Sequence, residues 1–148
     1  MIAYKDLEQH QKSMVDSRDE NTRIEACHLG YGLDKLIADN SPAVRRAVAE
    51  MRYGLDTLIH DSSPIIREEV AKLGYGLDVL CNDEDEYVRV AVAEQGYSLE
   101  TLVYDRSWRV RYKVAEQGYG LEKLAYDKDF MVKKMAREQV IKRRQQKK

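Results

Sequence analysis

Three histidines, two cysteines and a short acidic run are the residues of this chain best equipped for chemistry, and their spacing argues against most of it. His10, His28 and His60 do not fall at the three- or four-residue spacings that bring metal ligands onto one helical face. His28 follows Cys27 directly, so the pair does not share a face. Cys27 and Cys81 are too few and too distant for a disulfide framework; each reads as a small buried hydrophobe rather than a reactive thiol. In the acidic run 82–86, Asp85 reads as a helix cap and Glu86 as part of a solvated loop, in preference to an acid/base pair or a metal site. No Ser–His–Asp or Cys–His set stands out. An enzyme needs a few residues that break the pattern and converge on a pocket. The expectation is therefore a non-enzymatic chain with no catalytic residue, no metal and no cofactor.

One charged pairing does recur. Asp39 precedes Arg45 by six residues, and the same spacing joins Asp61 to Arg67, Asp83 to Arg89 and Asp105 to Arg111, with Asp127 and Lys133 as a variant. Active sites occur once, so a motif used five times reads as structure. A loop carboxylate and a guanidinium one turn into a helix can bridge consecutive units as a ladder.

The elements that carry these residues follow a strict period. Tyr31, Tyr53, Tyr75, Tyr97 and Tyr119 are 22 residues apart, each followed by a pair of leucines from Leu33/Leu36 to Leu121/Leu124. A period of this size is the signature of a solenoid, whose units bury their apolar sides only against neighbours. The Leu pair predicts a short α or 3₁₀ segment with an acid in its first turn: Asp34, Asp56, Asp78, Glu100 or Glu122. A longer helix follows. Its cap column reads Asp19, Ser41, Ser63, Asp85, Ser107, Asp129, with Pro42 and Pro64 at the first helical position. Valines or isoleucine at i, i+4, such as Val44/Val48 and Ile66/Val70, form the buried stripe, and Ala49, Ala71, Ala93 and Ala115 allow close helix approach. All eight glycines fall in two columns around the tyrosines, so none builds a phosphate-cradling loop; Arg52 and Ser98 depart from those columns. The tyrosines read as rings packed over the joint between repeats.

The string Asp39 to Ala49, followed by Gly-x-x-Leu-x-x-Leu, resembles the leucine-rich repeat variant, a short-period relative of HEAT and armadillo repeats. The resemblance covers about residues 9–140. It implies an all-α, right-handed α-solenoid of about six 22-residue units, and such scaffolds serve many tasks. The cysteine-ligated iron–sulfur cluster of founding examples is not implied here, because only two isolated cysteines are present.

Residues 9–30 read as a degenerate capping repeat, in which Gln11, Met14 and Ser17 replace the two leucines and the Asp. Residues 1–8 are expected to add a short helix. Residues 31–140 form five regular repeats, a final helix runs from Met131 to about Arg144, and 141–148 form a basic tail. The chain is 43% hydrophobic and 34% charged, with net charge −1. That charge is uneven: residues 132–148 hold eight Lys or Arg against Glu138, a net +7, so the remainder carries −8. An acidic body with a basic tail is not the footprint of a protein that grips nucleic acid along its length. No apolar run approaches the ~20 residues of a membrane span, and the first residues lack a signal-peptide core, which predicts a cytoplasmic protein.

What breaks the repeat is the variable face of the long helices and the loop before them. Toward the C-terminal half it becomes aromatic and basic: Tyr87, Tyr104, Trp108, Arg109, Tyr112, Tyr126, Phe130 and Lys134. Exposed, these have the composition of an interaction hot spot; Trp108 and Phe130 could equally pack over the next loop, whereas Arg109 and Tyr112 are expected to be exposed. The sequence thus points to a protein–protein interaction scaffold that takes an acidic or peptide partner. The alternative is a nucleic-acid-binding HEAT-like protein using Arg109, Lys113, Lys134 and the tail, although Glu68, Glu94 and Glu116 interrupt the basic rows.

Overall fold

The computed structural model describes residues 4–147, which are helices and turns with no strand among them. The chain forms two compact units, divided between Leu73 and Gly74. The first holds α1 (Tyr4–Val15), α2 (Glu20–His28), α3 (Leu33–Leu36), α4 (Pro42–Glu50), α5 (Leu55–Leu58) and α6 (Pro64–Lys72). The second holds α7 (Leu77–Leu80), α8 (Glu86–Glu94), α9 (Leu99–Leu102), α10 (Trp108–Glu116), α11 (Leu121–Leu124) and α12 (Phe130–Gln146). Long helices pack in chain order, α2 on α4 and α4 on α6 in one unit, α8 on α10 and α10 on α12 in the other. Neighbour-on-neighbour stacking of this kind is solenoid packing. Among the described residues no helix is long and apolar enough to cross a membrane.

Each repeat begins its long helix the way its cap column requires. The side chains of Asp19, Ser41, Asp85, Ser107 and Asp129 accept from backbone N–H groups of the first turn, satisfying donors that have no helical partner. Ser63 makes no such bond, and Pro64 behind it removes one of the donors. The stripe is fully buried: Val44, Val48, Ile66, Val70, Val88, Val92, Val110 and Val114 have no exposed surface, nor do the alanines at 49, 71, 93 and 115. The second leucine of each short helix is buried too, from Leu36 to Leu124, which removes about 1.5–3 kcal/mol worth of apolar surface from water per residue. The short segments are single α turns, not 3₁₀.

Those single turns start on a residue in the left-handed region. Gly54 has φ 59°, and a Cβ there would lie 2.2 Å from Ile37 Cδ1; at Gly120 it would lie 2.6 Å from Val103 Cγ2. Both contacts reach back 17 residues, so at these two glycines the preceding repeat lies where a side chain would go. Arg52 and Ser98 hold φ 56° and 54° without being glycine, a conformation that costs an ordinary residue about 1 kcal/mol or more.

Two expectations change. The first unit does not carry a short helix at Gln11 and Met14. His10 stands where later repeats have Gly32, Gly54 or Gly76, so nothing breaks the chain and α1 runs through to Val15. Of the expected helix in residues 1–8, residues 4–8 belong to α1 and 1–3 lie outside the described residues. Cys27 is fully buried, with its thiol pushed up to about 11 by that burial and by the Asp39 charge. Cys81, in contrast, is only half-buried, because it ends a short helix beside the exposed Asn82.

The charged ladder is present and its wiring is specific. Arg45 donates from Nε and Nη2 to the Asp61 carboxylate at 2.7 and 3.0 Å, and from Nη1 to the Asp39 carbonyl at 2.7 Å. Arg23 to Asp39, Arg89 to Asp105 and Arg111 to Asp127 repeat the fork. The six-residue spacing therefore marks the carbonyl that the guanidinium holds, while its carboxylate lies sixteen residues ahead. This explains Ser17: Arg23 needs only a carbonyl there, and takes it at 2.8 Å. Each Asp also accepts from the N–H two residues on, as Asp127 does from Asp129 at 2.8 Å.

Arg111 and Asp127 are only 7% and 8% exposed at their side chains, so removing one partner leaves a buried charge. Asp127→Asn is expected to destabilise the chain by about 3 kcal/mol in urea unfolding, and replacing both partners with apolar residues by less than that. A second expectation concerns acid. The bond from Arg111 and the Asp129 amide hold the Asp127 carboxyl below its usual value despite burial. At Asp39 and Asp61 burial pushes upward but the guanidinium and backbone bonds outweigh it, so both are lowered too. A depressed folded-state pKa contributes stability that is complete above the unfolded value of 3.8 and is lost as pH falls through the lower folded value. The melting temperature should therefore fall as the pH drops below about 4, and the Asp127→Asn variant should show a shallower fall.

Candidate partner-binding surface

The first turns of α8 and α10 build one cluster. Asp85 fixes the start of α8 by accepting from the Tyr87 amide at 2.8 Å, and Ser107 does the same for α10 with the Arg109 amide at 3.2 Å. These caps place Glu86 and Tyr87 beside Trp108 and Arg109 of the next repeat. Arg109 donates from Nη1 to Glu86 Oε1 at 3.0 Å, and the other Glu86 oxygen accepts from the Ser107 hydroxyl. The guanidinium carbon lies 4.8 Å from the Trp108 ring centroid and 5.7 Å from that of Tyr87. Tyr112, one turn along α10, meets Trp108 edge to face at 6.5 Å and 83°. Cation–π and edge-to-face contacts each contribute about 0.5–1.5 kcal/mol, so the four side chains hold one another in place.

Exposure is shared unevenly. Tyr87 is 50% exposed and Trp108 36%. Arg109 and Tyr112, expected to be exposed, are half-buried, because Trp108 packs against both. Phe130 and Lys134 occupy the same repeat positions on α12 as Trp108 and Tyr112 on α10, and both are exposed. Phe130 does not fold down over a loop; it is 70% exposed. Tyr104 and Tyr126 stand apart from this face. They sit on the loops after α9 and α11, on the rim of a groove, with Lys123 Nζ 4.5 Å from the Tyr104 ring centroid. The eight residues singled out from sequence thus fall in two places: a helix-face cluster and a loop-edge pair.

Glu86 stands just after the cap, in the same column as Trp108 and Phe130. It is not in a solvated loop but opens α8, and it ties two repeats together. The signal for it existed, since Glu20 is bonded to Ser41 in the same way and both pairs are 21 residues apart. Lys113 was read as one of the basic-row residues, yet it lies between Glu94 at 2.9 Å and Glu116 at 2.5 Å. Burial alone would lower its pKa; the two carboxylates outweigh burial and raise it. Arg46 is similarly held by Glu50 and Glu69, each at 3.3 Å. Two of the glutamates that interrupt the basic rows, Glu94 and Glu116, therefore neutralise Lys113.

No group of three or more His, Cys, Asp or Glu suited to a metal occurs among the described residues. His28 instead faces Glu50 across 3.3 Å, both partly exposed. In the tyrosine column, Tyr53, Tyr75, Tyr97 and Tyr119 are each 41–42% exposed and Tyr31 is half-buried, which suits a repeated structural role. No protein-family model matches the chain, nor does any curated protein or solved structure.

The cluster has an optical reporter, because Trp108 is the sole tryptophan. Iodide and acrylamide should both reach its ring, which is 36% exposed, while the Arg109 charge offsets that of Glu86 beside it. Arg109→Gln is expected to reduce iodide quenching at low ionic strength while neutral acrylamide quenches as before. Equal loss of both would mean that the ring had become buried and would count against the stacked arrangement.

Proposed function

We propose that this chain is a non-catalytic interaction scaffold, of the leucine-rich repeat variant or short HEAT-like kind, that binds a protein or peptide partner. The binding face is the helix-face cluster of Tyr87, Trp108, Arg109 and Tyr112, extended by Phe130 and Lys134, with Tyr104 and Tyr126 forming a second, loop-edge patch. The observation that carries this reading is the stacked Arg109 between Trp108 and Tyr87. It is a pre-ordered aromatic and guanidinium group on a scaffold whose valine, alanine, leucine and cap columns serve stacking. Aromatic residues and Arg are enriched where interfaces concentrate their energy, and rigid side chains lose little entropy on binding. The free thiols of Cys27 and Cys81 suit the reducing cytoplasm.

The nucleic-acid reading keeps one observation in its favour: Lys142, Arg143, Arg144 and Lys147 are all exposed at the end of α12. Against it stands the pairing of Lys113 and Arg109 with glutamates, which leaves no continuous phosphate track across α8 and α10.

Trp108→Ala combined with Tyr112→Ala is expected to abolish recovery of the native partner in affinity purification, with far-UV circular dichroism unchanged. Deletion of residues 141–148 should leave that recovery intact. The reverse pattern, or salt-sensitive oligonucleotide binding that is lost with the tail, would replace the scaffold reading with tail electrostatics.

A further inference from the structure

The repeat supplies its own control for one feature that stacking does not need. In the second unit, grooves run between the loops that follow neighbouring short helices. One such groove lies between the loops after α7 and α9, with a volume of about 430 Å³, and the next between the loops after α9 and α11, with about 390 Å³. Their backbones are equivalent, but their side chains are not. In the first, the variable positions are Asn82, Glu84, Thr101, Tyr104 and Arg106. In the second, the same positions are Tyr104, Arg106, Lys123, Tyr126 and Lys128. The charges at these positions cancel in the first groove and sum to +3 in the second.

The acids in the second groove do not offset that charge. Asp105 is held by the fork of Arg89 at 2.7 and 2.9 Å, and Asp127 by that of Arg111 at the same distances. Each ladder pair is neutral, so Arg106, Lys123 and Lys128 remain. Two of the three are positioned. Lys123 rests over the Tyr104 ring, and Arg106 donates from Nη2 to the Glu84 carbonyl at 3.0 Å. The phenols of Tyr104 and Tyr126, 69% and 82% exposed, wall the groove and offer hydroxyl donors.

We propose that this groove is a binding site for a phosphate monoester. Three cations around one cavity overmatch a single carboxylate, whereas a phosphate monoester carries about −1.5 to −2 at neutral pH and three acceptor oxygens. The volume lies at the lower end of the range for small-ligand sites, about 300–1,000 Å³. A strand of nucleic acid fits less well: followed one groove back, it would meet Glu84 and lose the cationic track. The groove shares Tyr104 and Tyr126 with the proposed partner surface but none of its helix-face residues, so a result at Trp108 does not decide it.

The test is an amide chemical-shift titration of the full chain with four probes: a phosphoserine peptide with uncharged flanks, its unphosphorylated twin, inorganic phosphate, and a single-stranded oligonucleotide. The phosphopeptide should move the amides of 104–106 and 123–128 and leave those of 82–84 in place. Lys123→Gln with Lys128→Gln should weaken it by about ten-fold or more, and Trp108→Ala should not. Inorganic phosphate moving the same amides as tightly as the peptide would assign the site to a free phosphate; moving them only weakly would assign it to a phosphorylated chain. Both results support the site. It is overturned if these amides stay still, if the unphosphorylated twin shifts them equally, if the double variant keeps its affinity, or if the oligonucleotide binds more tightly with shifts spreading along α12.

Discussion

A nearly buried guanidinium must have its donors satisfied, and in this chain that requirement fixes the distance between repeats. Arg111 spends Nε and Nη2 on Asp127 and Nη1 on the carbonyls of Asp105 and Arg106. Asp127 in turn accepts from the backbone of its own loop. One side chain thus ties the loop before its helix to the loop of the following repeat. An inserted residue in either loop would strand a charge in a poorly solvated place, at a cost of several kcal/mol. Uninterrupted 22-residue spacing follows from that constraint together with the close packing of the apolar stripe on the same helices.

With the spacing held, the other columns separate into those that must stay and those free to vary. The valines, the alanines and the second leucine of each short helix are buried without exception. The cap column tolerates Asp or Ser because both accept from the same amides. Gly54 and Gly120, from the column that opens each short helix, lie against the preceding repeat, with Ile37 against Gly54 and Val103 against Gly120. Ser98 occupies that column in the repeat where the residue 17 positions back is Cys81, a smaller side chain than Ile37 or Val103. Positions 87, 90, 104 and 106 and their equivalents carry none of these duties, and there the sequence diverges.

This division decides what could be read without coordinates. Features that repeat were legible, because five or six copies of a column average out local accidents: the caps, the stripe, the left-handed exits and the existence of a ladder. Its wiring was less so. A spacing of six between Asp105 and Arg111 suggests a pair, yet the carboxylate belongs to the residue sixteen ahead, and only a helix-to-loop distance distinguishes the two. The candidate surface was legible in composition but not in arrangement. Glu86 meets Arg109 23 residues away, and Lys113 meets Glu94 at 19; both are contacts between neighbouring repeats that a column alignment does not display. His10 in place of a glycine was visible, but its consequence, a continuous α1, depends on the absence of a break rather than on a signal.

The same contacts correct the electrostatic picture drawn from composition. Lysines and arginines on the long helices are largely spent locally: Arg46 on Glu50 and Glu69, Lys72 on Glu68, Arg109 on Glu86, Lys113 on Glu94 and Glu116. Pairs exposed to this degree add little stability, about 0–1 kcal/mol each, but they erase the positive rows that a list of residues suggests. Uncompensated positive charge is then confined to places where no acid stands opposite, and the groove between Tyr104 and Tyr126 is one of these. The groove one repeat earlier shares its backbone and its ladder but carries Glu84 and Thr101. The difference between the two therefore belongs to a few side chains that folding does not require, and residues that folding leaves free are the ones available for recognition.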